Sequence, residues 1–111
     1  MNELDKLRYM MMRSKIPFES YQEHFNDIDA ERYQLYYGYT EARYVRNQII
    51  YGRLDESQWK SDAICQMGSY GAEQGLIECY GSLGSENGNP RVMTAEEAYR
   101  IIEKDWRTNN G

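Results

Sequence analysis

The residues able to do chemistry in this sequence are few, and most stand apart. There is one histidine, His24, and no serine, cysteine or aspartate accompanies it at the spacing of a catalytic or metal motif. The two cysteines, Cys65 and Cys79, match no Cys-x-x-Cys redox or zinc spacing, and one histidine leaves too few ligands for a Cys/His metal site. Both cysteines are therefore expected to be structural. Glu96 and Glu97 are adjacent, so on a helix they point apart rather than forming an acid–base pair. Gly68, Gly71 and Gly75 lack the Lys-Ser/Thr ending of a phosphate loop, and no Gly-x-Ser-x-Gly elbow occurs. No metal, cofactor or catalytic residue is assigned. A catalytic site built from Glu, Arg and Tyr alone is the remaining enzymatic option, and binding is the expected activity.

The residues that could bind are more distinctive. Eleven tyrosines stand against two phenylalanines. Tyrosine offers apolar area with a polar tip and few rotors, which suits recognition surfaces. Charge is segregated within a net of −5. Residues 17–31 carry Glu19, Glu23, Asp27, Asp29 and Glu31 with no Lys or Arg, whereas residues 32–53 carry Arg32, Arg43, Arg46 and Arg53 against Glu41. Residues 54–90 are acidic again, with Lys60 as the one cation. On a helix advancing about 100° per residue, the four arginines share a face with Tyr36 and Tyr39, while Tyr33, Tyr37, Tyr44 and Tyr51 gather beside it.

Three readings of that constellation are open. The tyrosines can pack internally while the arginines pair with the acidic flanks. They can instead form a protein-binding or dimer surface, since Arg and Tyr anchor interfaces and the Tyr37-Tyr44-Tyr51 step suits helix packing. Or the arginines can meet phosphates while the tyrosines stack on bases, against which the acidic balance argues. The acidic segments have a reading of their own. Glu19, Glu23, Asp27 and Asp29 either serve solubility or imitate a nucleic-acid backbone in a nuclease's basic groove. The partner-binding candidates are thus Arg32, Tyr36, Tyr39, Arg43, Tyr44 and Arg46, together with Glu19, Glu23, Asp27 and Asp29.

These side chains need elements to position them. Leu4, Leu7 and Met11 mark a helix over residues 2–13, which contains the adaptable run Met10-Met11-Met12, a core filler or contact surface. Pro17 opens an expected second helix with Phe18, Tyr21 and Phe25 as its stripe. Asp27 and Asp29 cap an expected third over roughly residues 29–53, interrupted by Gly38 and ended by Gly52. Asp55 or Ser57 starts a fourth, carrying Trp59, Ala63, Ile64 and Met67. The glycines from 68 to 75 break the pattern. Leu76 to Tyr80 alternates as a strand, and Arg91-Val92-Met93 could return as its hairpin partner. Thr94-Ala95-Glu96-Glu97 is a capping box opening a last helix with Ala98, Ile101, Ile102 and Trp106. Residues 108–111 read as a frayed tail. The expectation is one domain over residues 1–111, mainly α, about five helices with a possible small hairpin.

No apolar run approaches a bilayer span, and Met1-Asn2-Glu3-Leu4-Asp5-Lys6 lacks a signal peptide's basic start. A cytoplasmic location is expected. Small domains often gain burial by self-association, so a homodimer is a reasonable default.

The stretch from Gly68 to Gly81, followed by Val92-Met93-Thr94-Ala95-Glu96-Glu97-Ala98, resembles the C-terminal part of small uncharacterised proteins carried by phages and mobile elements of Gram-positive bacteria. The likeness covers residues 68–111. That group includes inhibitors of bacterial defence, anti-CRISPR proteins among them. The resemblance implies an inhibitor acting in a host bacterial cytoplasm by binding a defence protein such as a CRISPR nuclease. It carries over no site residue. A small nucleic-acid-binding regulator using the Arg/Tyr helix is the alternative.

Overall fold

The computed structural model describes residues 2–24, 44–66 and 68–110. The chain forms helix α1 (Glu3–Arg13) and strands β1 (Glu19–His24), β2 (Tyr44–Arg53), β3 (Trp59–Ile64), β4 (Ile77–Gly81) and β5 (Arg91–Met93). It ends in helix α2 (Ala95–Asn110). The five strands make one sheet in the order β1-β2-β3-β4-β5, each antiparallel to the next. This corrects the expectation of a mainly α domain of about five helices: the fold is α+β and dominated by the sheet.

Three expected helices give way, and each for a physical reason. Residues 19–24, placed in a helix from Pro17, are β1, paired to β2 through Glu19 opposite Ile50 and Tyr21 opposite Gln48. The part of the long Arg/Tyr helix that is described, residues 44–53, is β2. Its Val, Ile and Tyr content favours a pleated, half-buried surface. Asn47, Ile49 and Tyr51 alternate inward, a period of two that a helical wheel hides. The rest of that helix, residues 29–43, lies outside the described residues, as do Phe25, Asp27 and Met67. The expected fourth helix is β3, and its supposed start is a turn. Asp55 Oδ1 accepts from the backbone N–H groups of Ser57 and Gln58, both at 2.8 Å, and from the Ser57 hydroxyl. An aspartate that bonds forward to the backbone closes a loop as readily as it caps a helix.

The ends of the chain follow the sequence. Leu4, Leu7 and Met11 are buried on α1, and Asn2 with Asp5 forms its capping box. Ala98 and Ile102 are buried on α2. The Thr94 hydroxyl accepts a long bond from Glu97 N–H, and the first helical N–H, of Ala95, is capped by Glu3 of α1 at 3.0 Å. α2 continues to Asn110, with the side chains of Thr108 and Asn109 bonding back to Lys104 and Asp105. The β4–β5 hairpin forms, with Ile77 opposite Met93 and Glu78 opposite Val92.

Both helices cover one face of the sheet. Leu4, Leu7, Met11, Ala98 and Ile102 join Ile49, Ala63, Ile77, Cys79 and Met93 in a single apolar core. Arg8 of α1 reaches the strands, donating to Asn47 Oδ1 and Ser20 Oγ, both at 2.6 Å. α2 is fastened at its far end. Asp105 accepts from the Tyr51 hydroxyl and meets the Lys60 ammonium at 2.7 Å. On the other face, among the described residues, the segment at Tyr70 and Gly71 lies against Glu78 and Val92.

Candidate functional site

The face turned away from the helices can be assembled from register alone, since residues directly opposite in an antiparallel pair share a side. β1 contributes Glu19, Tyr21 and Glu23, opposite Ile50, Gln48 and Arg46 of β2. Ile50 and Gln48 stand in turn opposite Asp62 and Ile64 of β3. Those two oppose Tyr80 and Glu78 of β4, and Glu78 opposes Val92 of β5.

Two residues join this face from outside strict alternation. Gly52 is left-handed, with φ +71°, and so is Gly81, with φ +74°. Such kinks re-aim the residues beside them. Lys60 turns to α2, while Arg53 and Trp59 reach the helix-free face. A side chain at Gly81 would collide with the Lys60 carbonyl oxygen.

The side chains close a circuit. The Arg46 guanidinium lies 3.9 Å from the centroid of the Tyr21 ring. It donates twice to Gln48 Oε1, at 3.0 and 2.8 Å. The Gln48 amide donates to Asp62 at 2.9 Å, and the Trp59 indole interacts with the same carboxylate. Arg53 lies 5.7 Å from the Trp59 ring and is ion-paired with Glu19. Glu19 accepts the Tyr21 hydroxyl at 2.8 Å, which returns to the start. Ile50, opposite both Glu19 and Asp62, is enclosed by this ring and is buried although it lies outside the main core.

Beside the circuit sits a second group. Glu78 accepts the Tyr80 hydroxyl at 2.8 Å and the Tyr70 backbone N–H at 2.9 Å. The electrostatics divide between the two ends. The Arg53 pair and the Tyr21 hydroxyl hold Glu19 below the usual carboxylate range. Burial pushes Asp62 above it, helped by the charge of Glu78 and opposed by Gln48 and Trp59. The hydroxyl of Tyr80 is held protonated by Glu78.

Of the residues singled out from sequence, Glu19, Glu23 and Arg46 come together on this face. Tyr44 is the first residue of β2. Arg32, Tyr36, Tyr39, Arg43, Asp27 and Asp29 lie outside the described residues. Tyr21, Gln48, Trp59, Asp62, Glu78 and Tyr80 were missed as a group. Period-two alternation of Asn47, Ile49 and Tyr51 is the signal for β2 and so for Gln48, whereas the others join it only through strand pairing.

Elsewhere the chemistry is sparse. Among the described residues no group of three His, Cys, Asp or Glu side chains is placed to hold a metal. Cys65 and Cys79 are buried and form no disulfide, and burial pushes Cys79 up to about 12, out of the range of a thiolate nucleophile. Between α1 and the start of α2 an open groove of about 640 Å³ is lined by Tyr9, Met10, Lys6 and Ala95 among others. Of the methionine run, Met11 is buried, Met10 lines this groove and Met12 is exposed. Among the described residues no helix is long and apolar enough to cross a membrane. No protein-family model, no curated protein and no solved structure matches this chain.

Proposed function

We propose that this protein is a small phage-type inhibitor that binds a host defence protein, in the manner of an anti-CRISPR, through the helix-free face of its sheet. The observation that carries the reading is the closed circuit of Glu19, Tyr21, Arg46, Gln48, Asp62, Trp59 and Arg53. Interfaces draw most of their affinity from Trp, Tyr and Arg held in place among near-neutral neighbours. Side chains already fixed to one another lose little freedom on binding. Among the described residues four carboxylates, Glu19, Glu23, Asp62 and Glu78, outnumber the two arginines on this face, which favours a basic partner surface. The nucleic-acid groove of a nuclease effector has that character. The regulator alternative is weaker on the same ground: Arg53 is paired with Glu19 and Arg46 is stacked on Tyr21 and bonded to Gln48, so phosphate would compete with contacts already made.

The test is affinity capture from bacterial lysate with the wild-type chain and with Arg46→Ala and Trp59→Ala. The expected result is a defence nuclease retained by the wild type and lost by both variants. Recovery of no defence protein, or equal recovery by all three, overturns the proposal. A gel-shift titration run beside it reads the alternative, for which salt-sensitive binding of DNA or RNA is required.

A further inference from the structure

The two halves of the helix-free face are built from the same parts, but one half lacks a member. Toward β1 and β2 the rings each carry a guanidinium: Arg46 over Tyr21, and Arg53 over Trp59 with Glu19 as its acceptor. On the β3–β4–β5 side the rings and the carboxylates recur, among the described residues without an arginine over them. Tyr70 is 68 % exposed and Tyr80 37 %, and Trp59, with Arg53 on its other flank, borders them at 39 %. They surround Asp62 and Glu78. Tyr80 stands opposite Asp62 in the ladder and bonds Glu78, Tyr70 bonds Glu78 through its backbone, and Trp59 meets Asp62.

The charges on that side are unbalanced. Asp62 is 8 % exposed and Glu78 4 %, on adjacent strands and one pairing step apart. The donors they meet are neutral: an amide, an indole, a phenol and a backbone N–H. The ion pairs among the described residues go to Glu3, Asp5, Glu19, Asp105 and Glu103 instead. Arg91, the cation of β5, stands opposite Cys79 and so belongs to the other side of the sheet. Two neighbouring carboxylates withdrawn from water are costly without a counter-charge, and an incoming cation recovers that cost.

Resting on the reading above, and specifying its chemistry, we propose that the Tyr70–Tyr80 surface, bordered by Trp59, receives an arginine side chain of the partner protein. A guanidinium is flat and stacks on aromatic faces, and its charge offsets the two carboxylates lying beneath those rings. An ammonium ion meets the charge but not the stacking geometry.

The experiment follows backbone amide and indole NMR shifts of the full chain during titration with acetyl-arginine-amide and, separately, acetyl-lysine-amide. The expected shifts fall on residues 69–71 and 77–81 and on the Trp59 indole. Arginine should bind about threefold or more tighter than lysine, and Tyr80→Ala and Glu78→Gln should each weaken it about tenfold. Tyr70→Ala keeps the backbone bond to Glu78 and gives the same reading if a Glu78 variant fails to fold. Shifts spread equally over Asp55, Glu56 and Glu86, or no effect of Tyr70→Ala and Tyr80→Ala, overturn the inference. The capture experiment separates the two levels. Full capture by Tyr70→Ala and Tyr80→Ala, with loss by Arg46→Ala, removes this inference and leaves the function. Capture by no form removes the function, whatever the arginine titration shows.

Discussion

Arg46 and Tyr21 face each other diagonally across the β1–β2 pairing, guanidinium over ring at 3.9 Å, and this contact holds the outer strand's surface to the rest of the face. A double-mutant cycle of Arg46→Ala and Tyr21→Leu, read by urea unfolding, should give a coupling of about 0.5–1 kcal/mol. Arg46→Lys should recover little of it, because an ammonium cannot stack flat and also send two N–H bonds to Gln48.

Asp62 should make the protein relatively more stable as the solution becomes more acidic. Its carboxyl is pushed up by burial, so the folded state prefers the protonated form. The stabilising effect of that preference is complete below the unfolded-state pKa and disappears as pH rises through the folded-state value. Asp62→Asn should therefore be more stable than wild type at pH 7, and the gap should close as pH falls through the carboxylate range. Urea midpoints of both proteins between pH 4 and pH 7, on the order of four points, give the comparison. A gap that widens on acidification contradicts the assignment.

Asp105 should behave in the opposite sense. Burial raises its carboxyl, but Lys60 and Tyr51 together bring it below the usual range. Its contribution is present above the unfolded-state pKa and is lost as pH falls through the folded-state value. Asp105→Ala leaves the Tyr51 hydroxyl and the Lys60 ammonium without their acceptor and should cost about 1–3 kcal/mol at pH 7. Tyr51→Phe, which removes a donor and strands no buried charge, should cost less. Denaturant unfolding of the two variants ranks them.

Ser61 is fully buried between Tyr51 and Gly81, and its hydroxyl has no hydrogen-bond partner among the described residues. Removing an unsatisfied polar atom while keeping the methylene should be neutral or stabilising, by up to about 1 kcal/mol. Thermal unfolding of Ser61→Ala reads it. A loss of more than about 1 kcal/mol would mean the hydroxyl is satisfied in solution.

Gly81→Ala should be strongly destabilising, by about 2 kcal/mol or more, since it combines a left-handed backbone with a collision at the Lys60 carbonyl. Gly88→Ala, equally left-handed but with open space around it, separates the two effects and should cost less. Urea unfolding of the pair measures the difference.

How legible this was depends on the kind of signal. The outer helices were readable because Leu4, Leu7 and Met11 repeat at helical spacing, as do Ala98 and Ile102. The β4–β5 hairpin was readable because Leu76 to Tyr80 alternates cleanly. The central strands were not. In β2, Ile49 and Ile50 are both buried, one in the core and one inside the polar circuit, so the outward side of the strand does not look polar. Tyr37, Tyr44 and Tyr51 repeat every seven residues, which mimics a helical seam. Asp55 bonds to its turn as a helix cap bonds to its helix. The candidate face was hidden for the same reason. Glu19 is distant in sequence from Arg53 and Trp59 and meets them once β1, β2 and β3 are paired, with the left-handed Gly52 beside Arg53 breaking the strand's alternation.

The Glu3 cap on Ala95 joins the first helix to the last. From β2 onward each strand can zip onto the one just made, a sequence of local contacts that forms quickly. α1 differs. It docks on the sheet through the Arg8 bond to Asn47 and on α2 through the Glu3 cap, contacts that span 39 and 92 residues of chain. Closing loops of that length makes the docking of α1 the slow step that completes the core.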